Sequence, residues 1–127
     1  MTPSASSSVL IVDDDDEIRH ALRLLFEFED FVVVGEARNG VEATPLALRL
    51  QPAFVVLDYM MPHMDGAKTA EVLRQIVPDA RIVAFSAVLQ TKPLWADAYL
   101  NKERITEIAP LIRALINSAL PRAGSPK

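Results

Sequence analysis

Two apolar runs of the sequence end in aspartates, and these acidic residues are the strongest candidates for chemistry. The run VLIV is followed by four consecutive aspartates, Asp13 to Asp16, and the run FVVL is followed by Asp58. Neighbouring carboxylates repel one another at neutral pH, so a protein gains nothing from such a run unless something offsets the charge. A divalent cation does so, and hard oxygen ligands of this kind suit Mg²⁺. The pattern therefore predicts half of a metal site, with the last aspartates of the run capping a helix.

The elements that must bring these carboxylates together are short strands alternating with helices. Five alternations of this kind predict an α/β fold, a doubly wound parallel sheet with helices on both faces. Right-handed crossovers put the carboxyl ends of all the strands at one edge, where such sheets bind their ligands. Apolar runs typical of buried strands predict the five strands, at Val9 to Asp13, Phe31 to Ala37, Phe54 to Asp58, Arg81 to Ser86 and Ala98 to Asn101.

Five polar side chains are predicted to meet at that edge. Asp13 ends the first strand and Asp14 follows it, Asp58 ends the third, Ser86 ends the fourth and Lys102 follows the fifth. Three carboxylates in one crevice again favour a bound Mg²⁺, and Lys102 adds a positive charge beside them.

Two prolines lie inside helical patterns. Thr44 and Pro45 form a good N-cap and first-turn pair within NGVEATPLALRLQ, so we expect that helix to kink or restart there. The segment from Gly66 to Ile76 predicts a helix on the next crossover. Pro110 lies inside the last amphipathic pattern, so that helix is expected to begin irregularly or late.

Composition limits the function classes. The 127 residues carry 17 acidic and 13 basic side chains, a net charge of −4, which argues against nucleic-acid binding. Cysteine is absent, which excludes a thiolate metal site or a Cys nucleophile. Neither a signal peptide nor a membrane span is evident, and we expect a cytoplasmic protein. The predicted organisation is a disordered segment over 1–8, one domain over 9–120 and a flexible tail over 121–127.

Four stretches in this order, VLIVDDD, VVLDYMMPHMDG, VAFSA and AYLNK, closely resemble the receiver domain of two-component response regulators. The resemblance covers nearly the whole predicted domain. It implies a flavodoxin-like strand order of 2-1-3-4-5 and a switch protein with Mg²⁺ as its cofactor. It also implies a phosphoprotein without enzyme activity, beyond weak self-phosphorylation and autodephosphorylation.

The resemblance implies a role for each acidic residue of the site. Asp58 is expected to accept a phosphoryl group from a histidine kinase or a phosphotransfer protein. Asp14, Asp58 and the main-chain carbonyl of Met60 would ligate Mg²⁺ directly, and Asp13 would hold a metal-bound water. The transfer would need little more than positioning and charge neutralisation.

The remaining roles concern the phosphoryl oxygens and the switch. Lys102 would pair with one phosphoryl oxygen, and the Ser86 hydroxyl would bond to another. Ser86 and Lys102 would be drawn toward the phosphorylated aspartate, and Tyr99 resembles the aromatic residue that changes rotamer with them.

The chain also departs from the family. Only 102 − 86 = 16 positions separate Ser86 from Lys102, which is short by about one and a half helical turns. Pro93 lies within that segment, so we expect the family's fourth helix to be one or two turns at most, or to be replaced by a loop with Trp95 as an apolar plug. Glu103 stands where many receivers have a proline after a cis bond, and we expect a trans bond there.

A further departure concerns the lifetime of the phosphoryl group. Met60 and Val88 occupy the two positions whose side chains orient the hydrolytic water in the family, and neither can hydrogen-bond water. Slow self-dephosphorylation is therefore expected.

Three function classes are open at this point. The first is a phosphoacceptor switch that acts on an output protein or on an effector domain not visible here, with homodimerisation as one mode of output. The second is a protein-interaction module that keeps the fold and works without phosphorylation, which the short segment before Lys102 favours. The third is a Mg²⁺-dependent phosphohydrolase, which would need a second acid or base and a substrate cap that this chain has no room for.

Overall fold

The computed structural model describes residues 7–61 and 64–118 of the chain. Five parallel strands form one sheet in the order β2-β1-β3-β4-β5, which confirms the predicted fold. The strands are β1 Ser8–Val12, β2 Val32–Ala37, β3 Phe54–Leu57, β4 Arg81–Ser86 and β5 Ala98–Asn101. The helices are α1 Asp16–Phe28, α2 Gly40–Leu50, α3 Gly66–Ile76 and α4 Ile108–Ile116, and a 3₁₀ helix spans Lys102–Glu107.

The helices cover both faces of the sheet because alternate strand residues point to opposite sides. On one face, buried residues of α1 and α4, such as Phe26 and Ile112, pack against strand residues such as Val9 and Phe85. On the other face, α2 and α3 pack through a second cluster of buried residues, comprising Leu10, Val12, Ala37, Ala43, Ala47, Val55, Leu57, Ala70, Leu73, Val77, Ala80 and Ile82. Both clusters hold the strands rigidly, so the residues that follow β1, β3 and β5 are fixed relative to one another.

The boundaries largely agree with the sequence prediction. β1 begins at Ser8, one residue earlier than expected, while β4, β5 and α3 have the predicted limits. The late start of the last helix is confirmed, since a 3₁₀ segment precedes α4 and Pro110 lies in its first turn. Residues 1–6 and 121–127 of the predicted terminal segments lie outside the described part of the chain.

The predicted restart of the second helix is wrong. α2 runs without a break from Gly40 to Leu50 and contains Pro45. Its N-cap is Asn39, whose side chain accepts a hydrogen bond from the Glu42 N–H at 2.9 Å. Thr44 does not begin a new helix, and its hydroxyl instead donates to the Gly40 carbonyl at 2.9 Å.

The segment between β4 and β5 is a loop, as expected from its length and from Pro93. Residues 87–97 contain no helix. Trp95 is half-buried and packs against the cluster beneath α2 and α3, which confirms its predicted role as an apolar plug. Its ring lies nearly parallel to that of Tyr59, with the ring centroids 6.5 Å apart. The loop therefore places Trp95 beside Tyr59, the residue that follows Asp58.

A buried ion pair anchors the end of this loop. The Arg74 guanidinium of α3 donates to the Trp95 carbonyl and to the Asp97 carboxylate, both at 2.9 Å. The same Asp97 oxygen accepts the Ile82 N–H at 2.8 Å, and the Asp97 side chain is only 4% exposed. The side chain of Arg74 on α3 and the N–H of Ile82 on β4 thus hold the end of the loop, which itself contains no helix.

Candidate functional site

Three carboxylates meet at the carboxyl edge of the sheet, as the sequence predicts. Asp13 follows β1, Asp58 follows β3, and one oxygen from each of these and from Asp14 lies within 4.8 Å of the others. Asp13 and Asp58 are 1% and 4% exposed, whereas Asp14 is exposed. The adjacency of β1 and β3 in the sheet brings the two buried carboxylates side by side.

Lys102 lies between the two buried carboxylates. Its ammonium nitrogen is 2.7 Å from Asp13 Oδ2 and 3.3 Å from Asp58 Oδ2, and its side chain is 19% exposed. The buried Asp13 Oδ2 therefore makes its salt bridge to the Lys102 ammonium. One ammonium faces three carboxylates, which leaves an excess of two negative charges at the site if all three are ionised.

Burial governs the acidity of these groups. Burial and the neighbouring Asp13 charge raise the pKa of Asp58 from 3.8 to about 6, although Lys102 acts in the opposite direction. Burial likewise raises the pKa of Asp13, and the Lys102 contact only partly offsets this. Burial alone would lower the pKa of Lys102, but the two carboxylates outweigh it and the pKa lies above its ordinary value. Lys102 therefore stays charged, and the metal-free site binds protons more readily than exposed aspartates do.

The loop after Asp58 is held close to the phosphoacceptor candidate. The Asp58 N–H donates to the Val12 carbonyl at 3.0 Å, and Asp58 Oδ1 lies 3.4 Å from the Met60 N–H. Gly66 donates to the Tyr59 carbonyl at 2.8 Å, and a Cβ on Gly66 would come within 2.6 Å of the Asp58 carbonyl oxygen. Only glycine fits this approach, so the start of α3 requires a residue without a side chain at position 66. Pro62 and His63 lie outside the described residues.

Ser86 and Tyr99 lie on the strands next to the acidic pair. Ser86 is 1% exposed and ends β4, the strand between those that deliver Asp58 and Lys102. Its hydroxyl oxygen accepts the Val88 N–H at 3.1 Å, which leaves the hydroxyl hydrogen to be donated elsewhere. Tyr99 on β5 is half-buried, and its hydroxyl is 3.5 Å from the Asn101 side-chain nitrogen. The roles of Ser86, Tyr99 and the Met60 carbonyl are still sequence-based predictions.

The structure divides the run of four aspartates into separate roles. Asp13 and Asp14 face the site, and Asp15 caps α1 by accepting the N–H groups of Glu17 and Ile18. Asp16 pairs with Arg19, which also donates to the Asp13 carbonyl. Arg19 was missed in the sequence, although its position three residues after Asp16 favours an ion pair on a helix.

The residues present fit a hard divalent cation. The candidate ligand atoms are carboxylate oxygens, and the single Lys102 ammonium does not balance the charge of three ionised carboxylates. These features match the preference of Mg²⁺ for a few carboxylates, with water filling the other positions.

Comparison with known proteins agrees with this geometry. The profile of the response regulator receiver domain matches residues 9–103. The chain belongs to this family. Among curated relatives, the nitrate/nitrite response regulator NarL of Escherichia coli K12 is 34% identical over 126 residues, covering 94% of this chain and 57% of NarL. The chain thus spans about half the length, or less, of the curated relatives it matches.

Solved receiver domains share the fold. The response regulator domain of Thermotoga maritima CheB superposes with a TM-score of 0.79 at 21% identity, covering 89% of this chain and 98% of that one. A chain of the CheX–CheY–BeF₃–Mg²⁺ complex from Borrelia burgdorferi gives a TM-score of 0.78 at 25% identity, covering 87% and 89%. Within the described residues of our protein, no helix is both long and apolar enough to cross a membrane.

Proposed function

We propose that this receiver domain accepts a phosphoryl group on Asp58 from the phosphohistidine of a histidine kinase or phosphotransfer protein. The observation that carries the proposal is the meeting of Asp13, Asp14 and Asp58 within 4.8 Å, with the Lys102 ammonium against the two buried members. Burying like charges side by side lowers the stability of the folded protein. Such an arrangement therefore favours a functional role, in which a ligand offsets the repulsion.

In the proposed transfer, an Asp58 carboxylate oxygen attacks phosphorus. The new O–P bond forms as the P–N bond to histidine breaks, and the departing ring nitrogen keeps the electron pair. With its pKa at about 6, Asp58 is largely ionised at pH 7.5 and therefore able to attack. The Lys102 ammonium then moves from the carboxylates to pair with a phosphoryl oxygen. The Ser86 hydroxyl donates a hydrogen bond to another phosphoryl oxygen.

Mg²⁺ would be held by Asp14, Asp58 and the Met60 main-chain carbonyl, with Asp13 holding a bound water. When present, the ion neutralises charge that the transferred group brings into the site. The BeF₃ and Mg²⁺ named in the Borrelia burgdorferi complex support this assignment by similarity.

The proposed output is a changed surface beside β4 and β5. Movement of Ser86 and Lys102 toward the phosphoryl group would shift the residues that follow β4 and precede α4, together with the half-buried Tyr99. The partner would be an output protein, an effector domain beyond this chain, or a second copy of the domain. We expect phosphoryl transfer and partner binding to take place in the cytoplasm. We expect no direct contact between this domain and nucleic acid.

A small-molecule phosphodonor with Mg²⁺ tests the proposal. Intact-mass measurement should show the addition of one phosphoryl group to the wild type and none to Asp58→Asn. Asp30→Asn, which removes an exposed aspartate elsewhere, is the matched control and should be modified like the wild type. Modification of Asp58→Asn, or an unmodified wild type with both Mg²⁺ and donor in excess, would contradict the proposal. Measuring hydrodynamic size in the same samples detects phosphorylation-dependent association.

A second candidate function is favoured by the helix-free segment over residues 87–97. A domain that lacks this helix could act as an interaction module without phosphorylation. The intact-mass experiment separates the two, since a module that works without phosphorylation would take up no phosphoryl group as wild type or as Asp58→Asn.

A further inference from the structure

Arg19 is an almost buried cation next to the acidic loop that follows β1. Its side chain is only 11% exposed. Nη1 donates to the Asp13 carbonyl at 2.7 Å, Nη2 pairs with the Asp16 carboxylate, and Nε lies 3.3 Å from Glu36 Oε1 on β2. The guanidinium thus joins the start of the acidic run, its end and the neighbouring strand.

Asp13 is held at each of its polar groups. Its N–H donates to the Ala37 carbonyl at 3.0 Å, and its Oδ1 accepts the Asp15 N–H at 2.9 Å. Oδ2 faces Lys102 at 2.7 Å, and the carbonyl accepts from Arg19. Among these groups, the carbonyl is the one that belongs to the peptide unit joining Asp13 to Asp14. The contact with Arg19 therefore fixes the orientation of the bond between the two residues whose carboxylates face the site.

We propose that Arg19 is a positioning residue for Mg²⁺ binding, which it strengthens by holding the Asp13–Asp14 peptide unit. This inference rests on the proposed function, in which the loop binds Mg²⁺. Arg19 would act through the main chain and contact neither the ion nor a phosphoryl oxygen. Its charge is already paired with Asp16 and Glu36, which limits repulsion of the ion.

Positioning and simple electrostatics predict opposite results. Removing a positive charge near a cation site should strengthen Mg²⁺ binding if charge alone matters. Loss of the Arg19 contact should instead weaken it, because groups that orient metal ligands affect metal affinity by about 10-fold to 100-fold. The sign of the change therefore identifies which role Arg19 has.

Arg23 provides a matched control. It lies one turn later on α1, and its Nε pairs with the same Glu36 at 2.6 Å. The contacts recorded for its side chain are with Glu36 and Glu27, neither of which is in the acidic loop. Arg23→Gln removes the same charge from the same helix and leaves the Asp13 carbonyl contact in place.

Titration calorimetry with Mg²⁺ alone, on the full chain, measures the effect. Arg19→Gln should raise the dissociation constant by about tenfold, whereas Arg23→Gln should leave it near the wild-type value. Arg19→Lys, whose ammonium can still donate to the carbonyl, should lie between them. Amide hydrogen exchange in chelator gives a metal-free readout, in which the amide hydrogens of residues 14–17 should exchange faster in Arg19→Gln, faster to a smaller extent in Arg19→Lys, and at an unchanged rate in Arg23→Gln.

Four outcomes would overturn the inference. One is Mg²⁺ binding by Arg19→Gln that equals or exceeds wild-type binding. The second is an equal loss in Arg23→Gln, which would indicate general destabilisation of α1. The third concerns the case in which Arg19→Gln does not fold. The inference is then overturned if Arg19→Lys binds Mg²⁺ with wild-type affinity and shows wild-type amide exchange. The fourth is a folded wild type that binds no Mg²⁺, which would contradict the proposed metal site itself. The wild-type titration distinguishes this outcome from the other three.

Discussion

Neutralising Asp58 should stabilise the metal-free protein, and the structure gives the magnitude. The pKa of Asp58 rises from 3.8 to about 6 on folding, a difference of 6 − 3.8 = 2.2. Each pKa unit corresponds to about 1.4 kcal/mol. The ionised carboxylate therefore costs the folded state about 3 kcal/mol at pH 7.5, and Asp58→Asn should regain most of it.

The sign of the pH dependence follows from linkage. Because the folded-state pKa is raised, the protonated carboxyl contributes stability below about pH 4, and this contribution is lost as the pH rises through 6. The wild type should therefore match Asp58→Asn near pH 4 and fall below it increasingly up to pH 7.5. Mg²⁺ should narrow the difference at pH 7.5, because binding at the proposed site would stabilise the folded wild type.

Urea unfolding in chelator, followed at several pH values, measures these differences. Asp30→Asn is the control, because it removes one charge from an exposed position with a left-handed backbone that asparagine also adopts. Its free energy of unfolding should stay within about 0.5 kcal/mol of the wild type. Asp58→Asn that is no more stable than the wild type at pH 7.5, or a difference that is the same at pH 4 and 7.5, would refute the reasoning.

Three other substitutions have defined outcomes. Lys102→Met leaves two buried carboxylates without their cation, so the free energy of unfolding, measured with urea in chelator at pH 7.5, should fall by about 3–5 kcal/mol. A loss no larger than that for substituting an exposed lysine would argue against the ion pair. Asp97→Ala leaves Arg74 and a buried N–H unpaired and should cost about 3 kcal/mol or more in thermal unfolding; an unchanged melting temperature would mean that the loop is not anchored there. Met60, which is 60% exposed, cannot orient a water, so Met60→Asn should accelerate phosphate loss from the phosphorylated protein, and an unchanged rate would count against slow self-dephosphorylation by this route.

Apolar periodicity and strand ends made most of the fold predictable. Apolar runs typical of buried strands identified the strands. Because parallel strands end at one edge of a sheet, their order predicted that Asp13, Asp58 and Lys102 lie close together. The contacts of Lys102 with both carboxylates agree with that prediction. Local composition was sufficient here because each of these residues directly follows a strand.

Predictions that depended on tertiary contacts were less successful. Pro45 suggested a break in α2, but Asn39 caps the helix upstream and Ala43 and Ala47 bury its face against the sheet. A proline's local preference was outweighed by packing. Arg19 was missed for a related reason, since its contacts with the Asp13 carbonyl and Glu36 join segments that the sequence does not show to be adjacent.

The loop that replaces the family's fourth helix has a consequence for pathway fidelity. Residues 87–97 contain no helix and instead form a loop with the half-buried Trp95, which the Arg74–Asp97 ion pair holds, so a partner that requires a helix at this position would lack its contact surface. A protein that binds at this loop would need a surface complementary to the loop, which would separate such a partner from proteins that bind a helix.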